Sequence, residues 1–596
     1  MTNPPYFGEN RSRLFGKDLS DYYQRTRDLC LVEGFHQVLA AEGVEEFGPT
    51  PAHCAWQTAV SHLLRMTRLS DGGKPRLVFR PAPLPGDPTA SNVVFVFSLG
   101  MGMGSALPQP SGQFDLALND EPLVSFCFTK SSRIWAGARG ARLLYDVKRV
   151  HAAPKWHVLN LGPCMSEEHA ASFGAGLLSI PRAALPVGEI TFALSYTSMN
   201  ESRRWVRLDR WAFGAGAMVE IDIDSSLDLL EHGLPRHTID NDKVWFGDIH
   251  THSGAPSRGD PHKIACGSGS LDENYLYARD IARLDLYALT DHEFQLIEPA
   301  DWDQRLDACG RYHRDGQFVC LNAFEWTSQL YGHRNVYYGG AEGRMIPGRN
   351  HPQAFTRDNP SIDGLWAQLD QQGLPAITVP HHPAAMMHAT NWEHWNPKYD
   401  RLVEIYSQWG SSERRDDPLQ TDATDLYPAG TVRAALARGL HFGLIASSDG
   451  HDGHPGEGQG MTHKHAHIYH FLGSGRIGVI APELTRAAIF DAMYRRRTYA
   501  TTGEPMLVDF RVGGAPQGSE VRRRKRLVAT ARVLGTTPIR EMQLIVDGRV
   551  RARCAGEQRQ EEWEVVLPSD PAPSHCYLKV VQEDYETAWS SPVRFI

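Results

Sequence analysis

The residues best suited to chemistry in this sequence are histidines and carboxylates that stand directly after short apolar segments. His250-Thr251-His252 follows one such segment, and Thr290-Asp291-His292 follows the next. The pattern continues along the chain with Glu325, His381-His382 and Ser448-Asp449-Gly450-His451. His333 precedes the fourth apolar segment, and Glu404 lies within the sixth. Imidazole nitrogen and carboxylate oxygen are ligands that zinc, manganese and iron accept. Two ions about 3.5–4 Å apart, bridged by a carboxylate, would use more of these ligands than one ion.

The elements that must position these residues are strands alternating with helices. Apolar runs predict strands at 244–249, 284–289, 318–324, 335–338, 376–379, 402–406 and 442–446. Between them, Ser270-Leu271-Asp272-Glu273 predicts the start of a capped helix, and Gly373 predicts the end of another. Alternation over this length indicates a parallel α/β barrel, in which residues after each strand converge on one face. Residues i and i+2 at a strand end also share a side, as in His250 and His252.

A single histidine is usually a surface residue or a hydrogen-bonded core residue, so the HxH pair alone is a weak signal. The recurrence of His, Asp or Glu after five separate strands is much stronger, and it favours a metal site. We therefore predict a multidomain α/β plus all-β protein. Its parts are an N-terminal mixed and then β-sandwich-like domain over 1–240, a metallohydrolase barrel over 241–505 and a small C-terminal β-sandwich over 506–596.

Composition narrows the class of partner. The 596 residues are 41% hydrophobic with a formal net charge of −9, which is typical of a globular protein and argues against a nucleic-acid partner. No apolar stretch approaches the length of a membrane span, and the N-terminus shows no signal peptide. Nine scattered cysteines without a CxxC pair predict a reduced, cytoplasmic protein without a cysteine zinc site. The expected partner is a small molecule, anionic or carbohydrate-linked; the sequence does not predict the oligomeric state.

Taken together, the motifs resemble the polymerase-and-histidinol-phosphatase (PHP) superfamily of metallohydrolases. The matching segments are Gly247-Asp248-Ile249-His250-Thr251-His252-Ser253, Tyr287-Ala288-Leu289-Thr290-Asp291-His292, Glu325, His382-Pro383 and Ser448-Asp449-Gly450-His451. Phe324-Glu325-Trp326, Arg334-Asn335-Val336 and Ala588-Trp589-Ser590-Ser591-Pro592 look like a large branch with flanking β-domains, related to the carbaryl-hydrolase type. The resemblance covers about 240–505 well and the C-terminal domain loosely.

The resemblance implies a distorted seven-stranded barrel that binds two or three divalent ions, whether zinc, manganese or iron. His250 and His252 would hold the first ion with Asp449, while Glu325 would bridge to a second ion completed by His382 and His333. His292 and His451 would hold a third. The chain departs from the usual ligand after the HxH pair, so Asp260 or His262 would serve, or the third position would be empty. His381 is an alternative to His382.

The expected chemistry is attack by a hydroxide that the ions activate, with polarisation of the substrate oxygen. Asp291 is a candidate for orienting a ligand histidine or relaying a proton. Arg258, Lys263 and Arg334 are candidates for holding an anionic group, or else surface or loop-anchoring charges. Glu404 is either a further site residue or a loop anchor.

Three functions compete. A phosphoesterase acting on a small organic phosphate is the commonest chemistry in the superfamily that the chain resembles. Hydrolysis of a carbamate, ester or amide is the alternative, kept open by four tryptophans near the predicted site: Trp326, Trp392, Trp395 and Trp409. A catalytically silent, glycan-binding protein is the third; the complete first-ion ligand set argues against it.

Overall fold

The structure is a computed structural model that describes part of the chain. It describes residues 36–42, 44–47, 63–66, 76–81, 92–101, 113–126, 133–146, 172–197, 206–209, 214–215, 238–257, 265–267, 269–296, 298–348, 361–420, 426–451, 453, 455–456, 475–536, 538–567, 573–583 and 585–596. The chain divides into two compact units, one of Met1–Leu234 with Ala466–Phe471 and one of Pro235–His465 with Leu472–Ile596. Within the described residues, the helices are all too short or too polar to span a bilayer.

The first unit is built from strands. They are β1 (His36–Glu42), β2 (Val44–Phe47), β3 (Leu63–Met66), β4 (Arg76–Pro81), β5 (Asn92–Met101), β6 (Gln113–Leu118), β7 (Glu121–Phe126), β8 (Arg133–Ala136), β9 (Arg142–Asp146), β10 (Ser172–Pro181), β11 (Phe192–Thr197), β12 (Val206–Asp209) and β13 (Gly214–Ala215), with 3₁₀ turns at Ala138–Gly140 and Arg182–Ala184. One sheet has the order β1-β4-β11-β6-β7, and the other has the order β2-β3-β12-β5-β10-β9-β8 with β13 beside β5.

Alternating burial explains why these segments are strands. On β6, Phe114, Leu116 and Leu118 are buried while the residues between them are half-buried. The Phe114 ring stacks on that of Phe126 on β7, with centroids 5.2 Å apart. This unit is therefore β-rich, as the sequence predicts.

The second unit mixes strands with short helices. Its first elements are β14 (Thr238–Ile239), β15 (Asp242–Asp248), α1 (Leu271–Leu276), the π-helix Tyr277–Ile281, β16 (Leu286–Tyr287), the 3₁₀ turn Glu293–Gln295, α2 (Pro299–Tyr312), β17 (Val319–Cys320), β18 (Asn322–Trp326), β19 (Arg334–Tyr338), α3 (Ile362–Gln372), β20 (Ala376–Pro380), the 3₁₀ turn Met386–His388, β21 (Leu402–Ser407), β22 (Gly410–Ser411), the 3₁₀ turn Pro428–Gly430, α4 (Val432–Ala437) and β23 (Gly443–Ala446).

The remaining elements are mostly strands. They are β24 (Arg476–Ala481), α5 (Arg486–Tyr494), β25 (Thr498–Thr501), β26 (Leu507–Val512), β27 (Ala515–Pro516), β28 (Glu520–Val521), β29 (Val528–Leu534), β30 (Ile539–Val546), β31 (Arg549–Ala555), β32 (Gln560–Val566), β33 (His575–Gln582), β34 (Thr587–Ser590) and β35 (Val593–Phe595). A separate four-stranded sheet has the order β27-β26-β29-β32.

Local signals account for the helix ends. At α1, the Ser270 side chain accepts a hydrogen bond from the Glu273 backbone N–H, and the Glu273 side chain accepts from Ser270, which forms the predicted capping box. At α3, Ser361 caps the N-terminus, and Gly373 ends the helix with φ 65°, a left-handed conformation that favours glycine. These helices lie between the strands whose ends carry the candidate site residues.

The strands around the candidate site are not a single parallel sheet. β15, β16 and β17 pair in parallel, but β24 pairs antiparallel to β15. β18, β19 and β20 form an antiparallel three-stranded sheet. A further three-stranded sheet is mixed, because β21 pairs antiparallel with β22 and parallel with β23. The described strands therefore form a mixed α/β unit with several sheets, and a distorted seven-stranded (β/α) barrel stays a prediction. Hairpin-type connections such as the one between Trp326 and Arg334 are too short for the helix that a parallel crossover needs.

The C-terminal strands continue the central sheet. Its order is β17-β16-β15-β24-β25-β34-β33-β30-β31, so the strands after residue 505 pair with strands before it. One hydrophobic cluster spans both, with Val244 and Tyr499 packed among residues such as Phe510, Leu544 and Val580. The predicted C-terminal strands are present, and a division at 505 stays a prediction.

Candidate metal centre

The HxH pair lies in the segment that leaves β15. Its backbone runs beside the segment that leaves β23: Thr251 bridges to Gly450, and the His252 N–H donates to the Gly450 carbonyl at 2.8 Å. His250 and His252 are fully buried, and Asp449 is nearly so. Two chain segments about 200 residues apart in sequence are thus held together by backbone hydrogen bonds, which brings both histidines to Asp449.

Glu325, in the middle of β18, lies at the centre of the site. One carboxylate oxygen, Oε2, lies 3.1 Å from His252 Nε2 and 3.5 Å from His250 Nε2. The other, Oε1, lies 2.7 Å from His333 Nδ1, 3.4 Å from His381 Nε2 and 3.4 Å from His292 Nδ1. The two oxygens therefore face different sets of imidazoles, which is the arrangement of a carboxylate that bridges two ions.

Asp449 faces the same imidazoles from the opposite side. Its Oδ1 lies 3.3 Å from His250 Nε2 and 3.1 Å from His252 Nε2, while Oδ2 lies 3.9 Å from His382 Nε2. Asp449 has φ 50° and His382 has φ 31°, values that non-glycine residues rarely adopt. Such strain concentrates at functional sites, where the surrounding structure holds a side chain in a required direction.

The ligand atoms of these residues form four overlapping groups in which every atom lies within 4.8 Å of the others. Three of them combine Glu325 or Asp449 with histidines: Glu325 with His333, His381 and His382; Asp449 with His250 and His381; and Glu325 with His250 and His252. We call this set the Glu325 pocket. The fourth group, which we call the Cys266 cluster, consists of His252, Cys266, His292 and His451.

Several imidazole nitrogens in the Glu325 pocket have no hydrogen-bond partner although they are buried. They are His250 Nε2, both nitrogens of His252, His333 Nε2, both nitrogens of His381 and His382 Nδ1. A buried polar atom without a partner costs about 1–3 kcal/mol, so this many together would be a heavy penalty in a purely structural core. Divalent ions would satisfy them, and the residues present therefore fit a metal centre.

The charges in the pocket are strongly coupled. Burial opposes ionisation of Glu325, but His292 and His381 outweigh it and hold its pKa well below the usual value. Burial likewise opposes the Asp449 carboxylate, and His250 and His252 hold the pKa of Asp449 well below its usual value. Burial also disfavours a charged His250, yet Asp449 and Glu404 raise the pKa of His250 to about 10.

The neighbouring His381 behaves in the opposite way, because burial and the nearby His250 lower its pKa to about 3. Protonated and neutral imidazoles thus surround two ionised carboxylates.

Outer partners orient the ligand histidines. Glu404 on β21 is buried, and its Oε2 lies 2.9 Å from His250 Nδ1, which leaves Nε2 of His250 to face the pocket. Burial raises the pKa of Glu404 to about 7, against the pull of His250. Glu404 is therefore a positioning residue of the site. In the same way, the Trp409 indole N–H orients Asp449 by donating to its Oδ2 at 2.6 Å.

The structure brings all eight predicted metal ligands together. His250, His252, His292, Glu325, His333, His382, Asp449 and His451 each belong to at least one of the four groups. His381 lies in two of the groups, so the structure places both adjacent histidines at the site.

The predicted catalytic residues are placed differently. The Asp291 carboxylate accepts from the Ser253 backbone N–H and hydroxyl, both at 2.7 Å, and pairs with Arg305 at 2.8 Å. It therefore anchors the residue after His252, and its hydrogen bonds within the described part of the chain go to Ser253 and Arg305. Buried Arg334 pairs with Asp400 and donates to two backbone carbonyls, so its guanidinium is occupied by the fold and is not directed to a substrate. Most of these contacts, with Ser253, Asp400 and His394, join residues 38 to 66 positions apart in the sequence. Arg258, Asp260, His262 and Lys263 lie outside the described residues.

Of the four tryptophans, only Trp409 contacts a residue of the Glu325 pocket through a described hydrogen bond. Trp326 is fully buried, and the rings of Trp392 and Trp395 pack against Phe442. The ring of Phe294, which the sequence analysis did not single out, also lies near the site, 4.7 Å from the His292 ring.

Two residues at the site escaped the sequence analysis. His388 is half-buried, with its ring 4.2 Å from that of His333, and burial together with His333 lowers the pKa of His388 to about 4. Cys266 stands among three histidines of the Cys266 cluster, although the absence of cysteine pairs predicted that no thiolate would contribute. Cys266 is exposed as a residue, while its sulfur lies among the three histidines. Desolvation there raises the pKa of the thiol, but the charges of His252 and His451 outweigh it and hold that pKa well below its usual value. Ligands that come from loops follow no fixed sequence spacing. The position of Cys266 shortly after the HxH pair is therefore the one sequence signal that could have identified it.

The chain is similar over part of its length to a family and to proteins that are described as uncharacterized. The family described as "Protein of unknown function (DUF3604)" matches residues 278–396 and 406–537, which include His292, Glu325, Asp449 and His451 but neither His250 nor His252. An uncharacterized protein of Chlamydia trachomatis is 26% identical over 357 residues, 54% of this chain and 54% of that protein. One of Chlamydia pneumoniae is 25% identical over 348 residues, 53% of each. The chain thus spans about half the length of the curated relatives it matches.

Two solved structures are similar over part of the chain. One is a two-domain protein of Bacteroides vulgatus described as containing a predicted PHP-like metal-dependent phosphoesterase; it is 12% identical, with a TM-score of 0.31, and covers 60% of this chain and 97% of that chain. The other is PsfC from Pseudomonas syringae, 16% identical with a TM-score of 0.26, covering 43% of this chain and 91% of that chain.

Proposed function

We propose that this chain is a metal-dependent hydrolase whose Glu325 pocket holds two divalent ions. The observation that supports this most directly is the Glu325 carboxylate, whose oxygens face different sets of buried imidazoles. His250, His252 and Asp449 would hold one ion, while His333, His381 and His382 would surround the other.

Bound divalent ions would lower the pKa of water to near 7, which supplies hydroxide at neutral pH. The chain's own residues prepare the site for that role. Glu404 fixes the ring of His250, and Asp291 holds the backbone after His252 through Ser253. The buried walls exclude bulk water, which strengthens every electrostatic interaction with a substrate oxygen.

A phosphoester is the substrate class that the charge of the pocket favours. Two divalent ions would bring four positive charges, whereas Glu325 and Asp449, the two carboxylates among the ligand groups, supply two negative charges and a bound hydroxide one more. A buried site with net positive charge attracts and stabilises an anion. The proposed substrate is therefore a small organic phosphate.

We also propose that single bridges close the short sheets into a ring around the site. Thr251 bridges to Gly450, His292 to Glu325, and Thr378 to Asp400, each in parallel orientation. Each bridge joins a segment of one short sheet to a segment of another. A distorted barrel of this kind would place all the strand ends at one pocket.

The test is to strip the full-length protein of metal, restore manganese, zinc or iron(II) singly, and measure both bound metal and turnover. The substrates are p-nitrophenyl phosphate, bis-p-nitrophenyl phosphate, p-nitrophenyl acetate and an aryl carbamate. Glu325→Gln should lose bound metal and turnover, whereas the exposed control Glu342→Gln should match the wild type. Bound metal without turnover on any substrate would contradict a hydrolase and favour a binding protein.

Hydrolysis of an aryl ester or carbamate is a second candidate, favoured by Trp409 and Phe294 beside the ligands. A flat neutral substrate would pack against these rings, whereas a phosphate would not need them. Higher kcat/KM on the carbamate than on the phosphate esters would favour this candidate over the first.

A further inference from the structure

The Cys266 cluster lies beside the Glu325 pocket and is assembled by backbone hydrogen bonds. Gly267 N–H donates to the Ser253 carbonyl at 2.8 Å, and Ala265 N–H donates to the Ala255 carbonyl at 3.1 Å. A Cβ on Gly267 would stand 2.1 Å from the His252 carbonyl oxygen, so only glycine allows this close approach. The Cys266 N–H donates to Gln295 Oε1 at 3.2 Å. Cys266 is therefore held between the HxH segment and the segment after His292.

Three imidazoles surround the thiol. The His252 ring stacks on that of His451 with centroids 4.2 Å apart and on that of His292 with centroids 4.8 Å apart. The ligand atoms of His252, Cys266, His292 and His451 all lie within 4.8 Å of one another. This is a compact set of one sulfur and three nitrogen donors.

The hydrogen bonds of the histidines leave nitrogens available. His292 Nδ1 lies 2.8 Å from the Thr327 hydroxyl, and His451 Nδ1 lies 2.8 Å from the Asp449 carbonyl, so each presents Nε2 as the free ligand atom. Fully buried His252 has no hydrogen-bond partner at either ring nitrogen. One thiol proton cannot satisfy these nitrogens, and a cation bound among them would.

We propose that Cys266 is the thiolate ligand of an additional divalent ion, bound together with His292 and His451 and bordered by His252. This extends the proposed metal-dependent function by a site of different donor chemistry. Three protein ligands with an open fourth position are typical of a catalytic ion rather than a structural one.

The donor set determines which ion this position prefers. Thiolate and imidazole favour zinc or cobalt, whereas carboxylate-rich sites also accept manganese and magnesium. The Glu325 pocket contains two carboxylates, and the Cys266 cluster contains none. The two positions should therefore fill with different metals when manganese and zinc are both supplied.

Cobalt(II) absorption tests the proposal without any assay of turnover. Metal-free, full-length protein is titrated with cobalt(II), and the sulfur-to-cobalt charge-transfer band in the near ultraviolet is recorded with the bound metal. The wild type should show the band. Cys266→Ser should abolish it and lower bound cobalt by about one ion per chain. The control Cys554→Ser, a half-buried cysteine on β31 away from the histidines, should retain the band.

Further variants separate this proposal from the proposed function. Glu325→Gln should lose cobalt from the Glu325 pocket and retain the charge-transfer band. Loss of the band in that variant, or a wild type without a band, would overturn a separate thiolate position. A wild type that shows the band but no turnover on any substrate would leave the thiolate ion in place and contradict the hydrolase. Circular dichroism of each variant confirms that it is folded.

Discussion

Glu404 shows how a single side chain outside the ligand set can control the site. Its buried carboxylate lies 2.9 Å from His250 Nδ1 and holds that ring so that Nε2 faces Glu325 and Asp449. Partners of this kind fix both the tautomer and the direction of a ligand histidine. Removing such a partner should weaken metal binding directly, and turnover should fall because less metal is bound.

Glu404→Gln should therefore weaken metal binding about 10–100-fold while the protein stays folded. The measurement is the metal dissociation constant by competition with a chelator. The exposed Glu342→Gln, a change of the same chemistry away from the site, is the control. An unchanged dissociation constant for the Glu404 variant would show that His250 needs no such orientation.

Protonation of His250 predicts the pH dependence of metal uptake. Because its pKa is raised to about 10 in the metal-free protein, His250 is an imidazolium at neutral pH, and a metal must displace that proton. Glu325 and Asp449 have lowered pKa values and stay ionised, so they release none. Metal affinity should rise with pH across the neutral range and fall in acid. Titration calorimetry in buffers of different ionisation enthalpy should detect release of a proton when metal binds. Metal binding without proton release would contradict a protonated His250 in the metal-free protein.

At the level of elements, the close packing of β15 against β16 positions the HxH segment that follows β15. Gly247 on β15 pairs with Leu286 on β16, and a Cβ there would stand 2.3 Å from the Leu286 carbonyl oxygen. Only a residue without a side chain lets the two strands approach, and the strand ends after them supply His250 and Asp291. The close approach of β15 and β16 therefore helps to set the positions of the site residues that follow these strands.

Gly247→Ala should lower the free energy of unfolding by about 1–3 kcal/mol, because the strands must separate to admit the methyl group. Urea denaturation measures the change. The matched control is Gly310→Ala: Gly310 lies on the exposed face of α2, where an added methyl group would have no other atom within 4 Å, and alanine should add about 0.5–1 kcal/mol there. Equal effects at both positions would contradict the packing explanation.

At the scale of the whole unit, one buried charge cluster joins the strands around the site to the C-terminal strands. Glu413 is fully buried and accepts from Lys579 at 2.6 Å, Arg433 at 2.6 Å and the Trp589 indole at 2.9 Å. Burial opposes its ionisation, but Lys579 and Arg433 hold the pKa of Glu413 well below the usual value. The C-terminal strands are therefore an integral part of the unit that holds the site.

Glu413→Gln should lower the free energy of unfolding by about 3–5 kcal/mol, because it removes the carboxylate that contacts both Arg433 and buried Lys579. Lys579 then keeps only the more distant Asp417, at 3.9 Å. Since the folded pKa of Glu413 is depressed, its stabilising effect is present above its ordinary pKa and is lost as pH falls through the folded value. Urea denaturation at neutral pH measures the difference. Glu541→Gln removes a partly exposed ion pair with Arg553 and should cost less than about 1 kcal/mol.

Local sequence determined the ligand types, the strand ends and the helix caps of this protein. His250 and His252 share a side because they are two residues apart after a strand, and Ser270 and Glu273 cap a helix because they are three apart. Such features depend on neighbours in the chain, so a pattern of residues is sufficient to predict them.

Contacts between distant segments were decided only by the tertiary structure. The pairing of Arg334 with Asp400, the antiparallel order of β18, β19 and β20, and the approach of Cys266 to His252 each join segments whose spacing carries no periodic signal. The sequence therefore leaves Arg334 open between holding an anionic group and anchoring a loop, and it predicts no role for Cys266. The direction of a buried side chain depends on the whole set of packed neighbours, and a local motif does not contain them.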